Sequence, residues 1–398
     1  MYKEIYYDNN LNAIPTNVLN NTHLEFLDFS YNNLRELPSN FGNSYLNLQQ
    51  LYFNNNQLVK LPNNFGDNLP KLTILNLEYN KLTSLPAGFG MNLIYIELLN
   101  LTGNELTSLP DGFGQNLYNL EYLYLNDNKL TNLPNGFGQN LPKLKELDLK
   151  MNKLTSLPEG FGLGLSHLIK LYLDKNELTS LPAGFGQVLS NLPNLKQLIL
   201  NENKLTSLPA GFLQNVTKLV SLYISANELN NLPEGFGQNL LDLKQLVLTS
   251  NRLTSLPNGF GQNLPNLKEL LLENNRLKRL PPGFGLINFN KLEALNLKNN
   301  DLTSLPVGFG HASSVPNLKY LDLSKNKLTS LPYGFERVLS NLPNLSWISI
   351  LSSNNEINEL TNIINMLSTT NQLPQRAEEY IQLQELLKSN PDSIPQSL

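Results

Sequence analysis

The chain contains no cysteine among its 398 residues. It therefore cannot form a disulfide-bonded cap, a thiolate metal site or a cysteine nucleophile. Histidine is scarce as well: His23, His167 and His311 are far apart in the sequence, so we expect neither a Ser–His–Asp triad nor a histidine-based metal site. These absences exclude the commonest catalytic centres, and we predict a protein that is not an enzyme and binds no cofactor and no metal.

Charge and hydropathy exclude two further kinds of partner. Lys and Arg total 29 against 33 Asp and Glu, which gives a net charge of −4. Both signs are mixed along the chain, unlike the basic footprint of a nucleic-acid-binding protein. No apolar run is long enough to span a bilayer, and the first residues lack the basic flank and apolar core of a secretory signal. We therefore predict no nucleic acid and no membrane partner.

What the sequence does contain is a long internal repeat. The unit LxxLxLxxNxLTSLPxGFGQNLPN recurs at an interval of 24 residues in nine of the twelve spacings between its asparagines, and the other three spacings are 27, 25 and 26. Such periodicity indicates a stack of similar coils, each packed against its neighbours. The repeated asparagines are Asn32, Asn56, Asn80, Asn104, Asn128, Asn152, Asn176, Asn203, Asn227, Asn251, Asn275, Asn300 and Asn326.

Each position of the unit has a physical reason. The LxL alternation predicts a short strand with one buried face, and its fixed interval predicts parallel stacking of the strands. The asparagine follows the strand, where its amide can pair with backbone groups of its own coil and of the next one. A proline six residues later, from Pro38 to Pro332, prevents a regular ladder, so the return segment should be extended or 3₁₀.

A phenylalanine follows every asparagine at nine residues, from Phe41 to Phe335. Two interpretations are open: a stacked aromatic spine inside the convex side, or an aromatic row that binds a ligand. A residue present in every coil serves the coil, and this favours the spine. The adjacent glycines permit a tight turn, and we interpret Gly160–Leu165, a faint likeness of a nucleotide-binding loop, as part of the same repeat.

This pattern resembles the leucine-rich-repeat family over roughly Leu24 to Leu351. The resemblance implies an α/β-type solenoid, a curved array with a parallel β-sheet on the concave side and extended or 3₁₀ segments on the convex side. Family members mostly bind proteins with the concave face. The near-identical GFGQNLPN units and the missing cysteine are similar to the repeat-containing effectors that bacterial pathogens deliver into host cells.

The two ends depart from the repeat. Residues 1–23 read as a degenerate capping coil, in which Ile5 and Tyr7 are one residue out of register with the repeat. Residues 24–353 form the solenoid, and Trp347–Ile350 predicts its last strand. Residues 354–398 have helical spacing and predict a helical cap. A second interpretation of this tail is an export signal that uses Glu378, Glu379 and Glu385.

The residues that the repeat leaves free should reveal where a partner binds. Two repeat positions, four and six residues before each asparagine, carry apolar and tyrosine side chains in the middle of the array. At the usual strand spacing these side chains extend over roughly 40 Å. Such a patch is typical of a protein-binding site, although tyrosine and β-branched residues also simply suit strands. The predicted partner-binding residues are Ile74, Leu98, Tyr122, Tyr124, Tyr172, Ile199, Tyr223, Val247 and Leu271.

Charged residues on the same face allow a competing hypothesis of an enzyme site. We interpret them instead as alternating salt-bridged surface charges. They are Glu146, Asp148, Lys150, Lys170 and Asp174.

Two short insertions, Val188–Ser190 and Val338–Ser340, predict an added helical turn on the convex side. They indicate either a local bend or drift in repeat length, and drift is favoured.

The sequence thus predicts a monomeric scaffold that binds a protein on its concave face. The leading interpretation is a secreted bacterial effector that engages a host protein in the host cell cytosol. The alternative is a structural or adaptor protein that stays in the cytoplasm of the producing cell, and the third is an enzyme with an unusual concave site.

Overall fold

The computed structural model describes residues 2–214, 216–284, 289–309, 315–332, 335, 342 and 344–350. The predicted helical cap at 354–398, with Glu378, Glu379 and Glu385, lies outside these residues, as do the second insertion and His311. In the described part of the chain every strand is three residues long. The strands are β1 Lys3–Ile5, β2 Phe26–Asp28, β3 Gln50–Tyr52, β4 Ile74–Asn76, β5 Leu98–Asn100, β6 Tyr122–Tyr124, β7 Glu146–Asp148, β8 Lys170–Tyr172, β9 Gln197–Ile199, β10 Ser221–Tyr223, β11 Gln245–Val247, β12 Glu269–Leu271, β13 Ala294–Asn296, β14 Tyr320–Asp322 and β15 Trp347–Ser349.

The chain divides into two compact units, Met1–Leu243 and Lys244–Leu398. In the first unit β1 to β10 pair in sequence order, and every pair is parallel. In the second unit β11 to β15 do the same. Because neighbouring strands are parallel, each connection brings the chain back to the edge of the sheet where the previous strand began. The predicted parallel β-solenoid is therefore confirmed.

The strands present alternate side chains to the core and to solvent. In β6 the central Leu123 is buried, while Tyr122 and Tyr124 on either side of it are half-buried. Leu125, the second leucine of the LxL pattern, is also buried and follows the strand directly. We call the surface formed by the two residues that flank each central leucine the exposed sheet face.

The repeated asparagine ties each coil to the one before it. In Asn152, Oδ1 accepts the backbone N–H of Leu130 at 3.0 Å, and Nδ2 donates to the carbonyls of Leu125 at 3.0 Å and Leu149 at 3.1 Å. The bonds reach its own coil, as predicted, but the second coil is the preceding one, so the prediction of the next coil is wrong. The preceding coil is bound because its Leu125 carbonyl and Leu130 N–H lie just past the end of the strand ladder, where the buried amide can meet both.

The repeated phenylalanines form the predicted spine. Within the first unit the rings of Phe137 and Phe161 stack at 6.1 Å between centroids, and those of Phe113 and Phe137 at 6.2 Å. Both Phe137 and Phe161 are almost fully buried. The side chains are therefore core residues, and the alternative of a ligand-binding aromatic row is wrong.

The return segments are extended stretches followed by turns. The N–H of Phe161 donates to the carbonyl of Pro158 at 3.1 Å, an i→i+3 bond of the 3₁₀ type. The first insertion adds a short helix, α1 (Phe185–Ser190), which buries Val188 and Leu189. The predicted helical turn at Val188–Ser190 is thus confirmed, and it arises because three extra residues lengthen the turn enough for i→i+4 bonding.

The first coil follows the register of the repeat with different side chains. β1 places Glu4 opposite Leu27 and Ile5 opposite Asp28. Tyr6 then occupies the next inward position and stacks on Phe29 at 5.1 Å between centroids. Ile5 is 61% exposed and points outward, which agrees with its predicted displacement from the repeat register.

Candidate functional site

The predicted partner-binding residues lie on the exposed sheet face, but in two different units. In the first unit the register aligns Ile74 with Leu98 and Leu98 with Tyr122 on β4, β5 and β6. These three side chains form one row of half-buried apolar groups. Val247 and Leu271 belong to the second unit, where they are aligned on β11 and β12, and Val247 is buried.

A second row in the first unit carries three of the tyrosines. Tyr172 is aligned with Ile199, and Ile199 with Tyr223, so these half-buried side chains are neighbours on β8, β9 and β10. The hydroxyl of Tyr172 donates to Oε1 of Gln197 at 2.9 Å. Tyr124 is separated from this group by Asp148, which is aligned with Tyr124 on one side and Tyr172 on the other.

The polar members of this second row cap their own backbone turns, a role that the repeat pattern alone did not indicate. Oδ1 of Asp148 accepts the backbone N–H of Lys150 at 3.0 Å, and Asn100 does the same for Thr102 at 3.0 Å. This is an Asx turn, in which the short side chain caps the backbone two residues later. The pattern of Asp or Asn at the end of a strand was the signal that could have found it. The same bond is made in the first unit by Asp28 and Asn76, and at equivalent repeat positions of the second unit by Asn296 and Asp322.

The positions of the row therefore differ in whether their side chain caps a backbone turn. Where the row has Asp or Asn, the side chain is bound to its own backbone turn. Where it has Tyr, Ile, Val or Leu, the residue makes no Asx turn; Tyr124, Tyr172, Ile199 and Tyr223 are half-buried on the face, whereas Val247 is buried. The Asp and Asn residues at this repeat position therefore have a local structural role, because each caps the backbone two residues later.

The charged residues of the face are mostly paired, as predicted. Nζ of Lys170 lies 3.2 Å from Oε2 of Glu146, and Nζ of Lys150 lies 3.2 Å from Oδ2 of Asp148. Asp174 departs from this prediction: in the described part of the chain its Oδ1 is buried and has no hydrogen-bond partner. Four of the five groups thus form two ion pairs, and the fifth, Asp174, is in neither of them.

Burial and negative charge shift the pKa values at the centre of the face. Burial raises the pKa of Asp148, and the hydrogen bond and charge of Lys150 only partly offset it. Burial likewise raises the pKa of Asp174, with a further contribution from Asp148. For Tyr124, burial first and then the carboxylates of Glu146 and Asp148 raise the pKa to about 12. Tyr124 therefore remains a neutral hydroxyl near neutral pH.

Another exposed apolar group lies away from the sheet face. Met91, Ile94, Tyr95 and Tyr118 lie in two successive turns that precede β5 and β6, and each is between 43% and 54% exposed. The repeat pattern does not indicate them: the position of Tyr95 is polar in the adjacent coils, and Ile94 and Tyr118 occupy a position that holds proline in others.

The described residues contain no cluster of three or more His, Cys, Asp or Glu that could hold a metal ion. Nδ1 of His167 lies 2.6 Å from the carbonyl of Pro142, where the imidazole joins two turns. Among the helices described, none has the length and apolarity needed to cross a bilayer.

Family models agree with the repeat. The model described as leucine rich repeat matches residues 94–154, 142–192, 193–253 and 241–302. The model for two copies of the repeat matches residues 46–89, and a third model for a single repeat matches residues 23–44 and 317–338. No curated protein sequence matches the chain.

Solved structures give the same result. The chain is similar to a leucine-rich-repeat protein of Leptospira interrogans, with 32% identity over 90% of this chain and 93% of that one, at a TM-score of 0.69. It is also similar to YopM, a leucine-rich effector protein from Yersinia pestis, with 27% identity over 88% of both chains and a TM-score of 0.57. The third is Toll of Drosophila in complex with Spätzle, with 26% identity over 83% of this chain but 47% of that one, at a TM-score of 0.66.

Proposed function

The chain belongs to the leucine-rich-repeat family, and we propose that it is a non-catalytic scaffold that binds a protein partner on its exposed sheet face. One observation carries this proposal: in the first unit, apolar and tyrosine side chains occupy the row positions that the Asx turns leave free. The contiguous members Tyr172, Ile199 and Tyr223 are half-buried, so further burial by a partner would be favourable.

Tyrosine suits this task for a physical reason. Its ring offers a large apolar area, it loses little side-chain entropy on binding, and its hydroxyl can still form a hydrogen bond. In the first unit Tyr124, Tyr172 and Tyr223 supply three such rings within one row. The structure of Toll with Spätzle is that of a similar array bound to another molecule, which supports binding as the role of the fold.

The test compares two sets of tyrosines of equal size. The triple variant Tyr124→Ala, Tyr172→Ala, Tyr223→Ala removes rings from the sheet face. The control variant Tyr79→Ala, Tyr95→Ala, Tyr118→Ala removes exposed rings from elsewhere in the same unit. We expect a partner captured by the wild-type chain to be lost only with the first variant, while both variants keep a cooperative unfolding transition. Equal capture by both would place the binding site elsewhere.

We further propose that the chain is a bacterial effector that engages a host protein inside the host cell. The likeness to YopM, described as a leucine-rich effector, supports this, and so does the absence of cysteine from a chain of this length. The competing proposal is a structural or adaptor protein that stays in the producing cell. Detection of the protein in the host-cell fraction during infection would support the effector, and its retention in the bacterium would contradict it.

For the ends of the chain we propose a capping coil at 1–23, the solenoid at 24–353 and a helical cap at 354–398. Deletion of Gln375–Leu398 separates the two proposed tasks of the tail. Intact folding with lost translocation would support an export signal, whereas aggregation of the truncated protein would support a cap that covers the last coil.

A further inference from the structure

Two tyrosines flank a carboxylate at the centre of the face. Asp148 on β7 is aligned with Tyr124 on β6 and with Tyr172 on β8, so the three side chains are successive members of one row. Parallel strands lie about 4.8 Å apart, which places the two rings about 10 Å from each other with the carboxylate between them. We call this set the Tyr124–Asp148–Tyr172 triplet.

An ammonium group of the chain itself already contacts two members of the triplet, Asp148 and Tyr172. Nζ of Lys150 lies 3.2 Å from Oδ2 of Asp148 and 5.8 Å from the centroid of the Tyr172 ring. The side chain of Lys150 is 39% exposed, whereas that of Asp148 is 8% exposed. The ammonium group of Lys150 therefore makes both a charge-assisted hydrogen bond and a cation–π contact. The side chain of Lys150 is more exposed to solvent than that of Asp148.

A second carboxylate is positioned to accept Lys150 if it leaves Asp148. The backbone N–H of Met151 donates to the carbonyl of Asp174 at 3.0 Å, which places the residue after Lys150 beside Asp174 in the next coil. Oδ1 of Asp174 has no hydrogen-bond partner. Burial opposes the charged form of Lys150, but the charges of Asp148 and Asp174 more than offset this and raise its pKa.

The charge balance of the face indicates what it attracts. Glu146 and Asp148 each pair with an ammonium group, that of Lys170 and that of Lys150. In the described part of the chain Oδ1 of Asp174 has no hydrogen-bond partner; the charges of Lys150 and Lys175 act on this carboxylate, but the ammonium group of Lys175 pairs with Glu202 at 3.8 Å. A further cation near these partly buried carboxylates is therefore favourable.

We propose that the Tyr124–Asp148–Tyr172 triplet binds an arginine side chain of the protein partner, and that this arginine displaces Lys150 from Asp148 toward Asp174. The inference rests on the proposed binding function of the face. Arginine is favoured over lysine because a planar guanidinium can stack on aromatic rings while it donates to a carboxylate through parallel N–H groups. After the exchange, the arginine pairs with Asp148 and Lys150 pairs with Asp174.

The experiment uses a fluorescein-labelled peptide of alternating serine and arginine and a counterpart in which citrulline replaces arginine. Citrulline keeps the shape and most of the donors but carries no charge. Fluorescence anisotropy with the full chain should show binding of the arginine peptide and markedly weaker binding of the citrulline peptide. Equal binding of the two peptides, or no binding of either, would overturn the proposal.

Two variants locate the binding on the triplet. Asp148→Asn should weaken the arginine peptide about tenfold, the size expected when a charge-assisted contact is lost. The fold tolerates this change, because Asn76 and Asn100 make the same Asx turn in the same row, and Asn296 makes it at the equivalent repeat position of the second unit. Asp28→Asn is the matched control: Asp28 also caps its turn but lies beside a single tyrosine, Tyr52, and should leave the affinity unchanged. Equal losses for the two variants would show nonspecific attraction only.

A third variant tests the displacement of Lys150. Lys150→Met removes the competing ammonium group and should tighten binding several-fold, whereas Lys153→Met, which removes an exposed charge nearby, should not. Weaker binding by Lys150→Met would mean that Lys150 itself contacts the peptide and would overturn the exchange. A natural partner that needs the tyrosines but is insensitive to Asp148→Asn would contradict this inference and leave the proposed function standing.

Discussion

Gly164 packs so closely against the backbone of Gln139 that a Cβ atom on it would lie 2.0 Å from the carbonyl oxygen of Gln139. The two residues lie in successive turns of the first unit, and no side chain fits between them. The third glycine of the segment Gly160–Leu165 is thus required by the approach of two coils, in agreement with its interpretation as part of the repeat.

Substitution of Gly164 by alanine should therefore destabilise the fold by about 1–3 kcal/mol, because a backbone segment has to move. Gly184→Ala is the matched control. Gly184 has an ordinary φ of −76° and its added Cβ would meet only Oε1 of Glu159 at 3.6 Å. Urea denaturation should show a loss for Gly164→Ala and no loss for Gly184→Ala, which removes backbone freedom from the unfolded chain. Equal effects would contradict the close approach.

The asparagine bonds predict a large loss for Asn152→Ala. The variant would leave the buried N–H of Leu130 without its partner, at about 1–3 kcal/mol, whereas the carbonyl of Leu125 keeps its bond from Nδ2 of Asn128 at 3.1 Å. Asn116→Ala is the control, since Asn116 is only half-buried and its bond to the carbonyl of Met91, at 3.0 Å, is exposed to solvent. A small change for Asn152→Ala in urea denaturation would mean that water replaces the amide.

The phenylalanine spine predicts a loss of about 3–5 kcal/mol for Phe161→Ala, the range for truncation of a buried aromatic side chain. Leu163→Ala, at a position 56% exposed, should change the free energy of unfolding by well under 1 kcal/mol. Both are read from equilibrium denaturation. A similar small effect at Phe161 would show that neighbouring rings close the cavity.

The raised pKa of Asp148 predicts a pH dependence of stability. Burial raises this pKa in the folded protein, so ionised Asp148 destabilises the fold near neutral pH. The penalty disappears as the pH falls through the raised folded value toward the ordinary range of about 4, where folded and unfolded chains are both protonated. Asp148→Asn has no such group. We expect the variant to be more stable than the wild type near neutral pH.

Unfolding of both proteins at several pH values measures this effect. The advantage of Asp148→Asn should shrink as the pH falls. An advantage that grows with falling pH would reverse the sign of the shift. The titratable groups that surround Asp148 are present in both proteins, and the charge of Asp148 itself raises the pKa of Asp174, which belongs to the same acidic range; the groups are Lys150, Glu146, Lys170, Asp174, Tyr124 and Tyr172.

Much of the fold could be predicted because a solenoid is stabilised by contacts between neighbouring coils. Phe137 and Phe161 stack because they occupy the same position in successive repeats, and the repeat interval alone implies this. The coil bound by Asn152 was predicted in the wrong direction, since the pattern shows where an amide lies but not which carbonyls the strand ladder leaves unpaired.

The candidate site was predicted less completely. The sequence places Tyr124, Asp148 and Tyr172 in one row, and the register confirms that alignment. It did not show that Asp148 caps its own turn or that Lys150 bridges Asp148 and the Tyr172 ring. These contacts depend on side-chain rotamers within a crowded surface, and a one-dimensional pattern contains no such information.

The sequence by itself determined the repeat register, the buried leucines and the phenylalanine spine, because each recurs with a fixed period and makes the same contact in every coil. Only the tertiary structure decided that Oδ1 of Asp174 stays unpaired, that Gly164 touches the neighbouring backbone, and that the polar row positions are Asx turns. Those features occur where one coil differs from the next. Their contacts come from the particular side chains of adjacent coils, and a shared repeat pattern does not specify them.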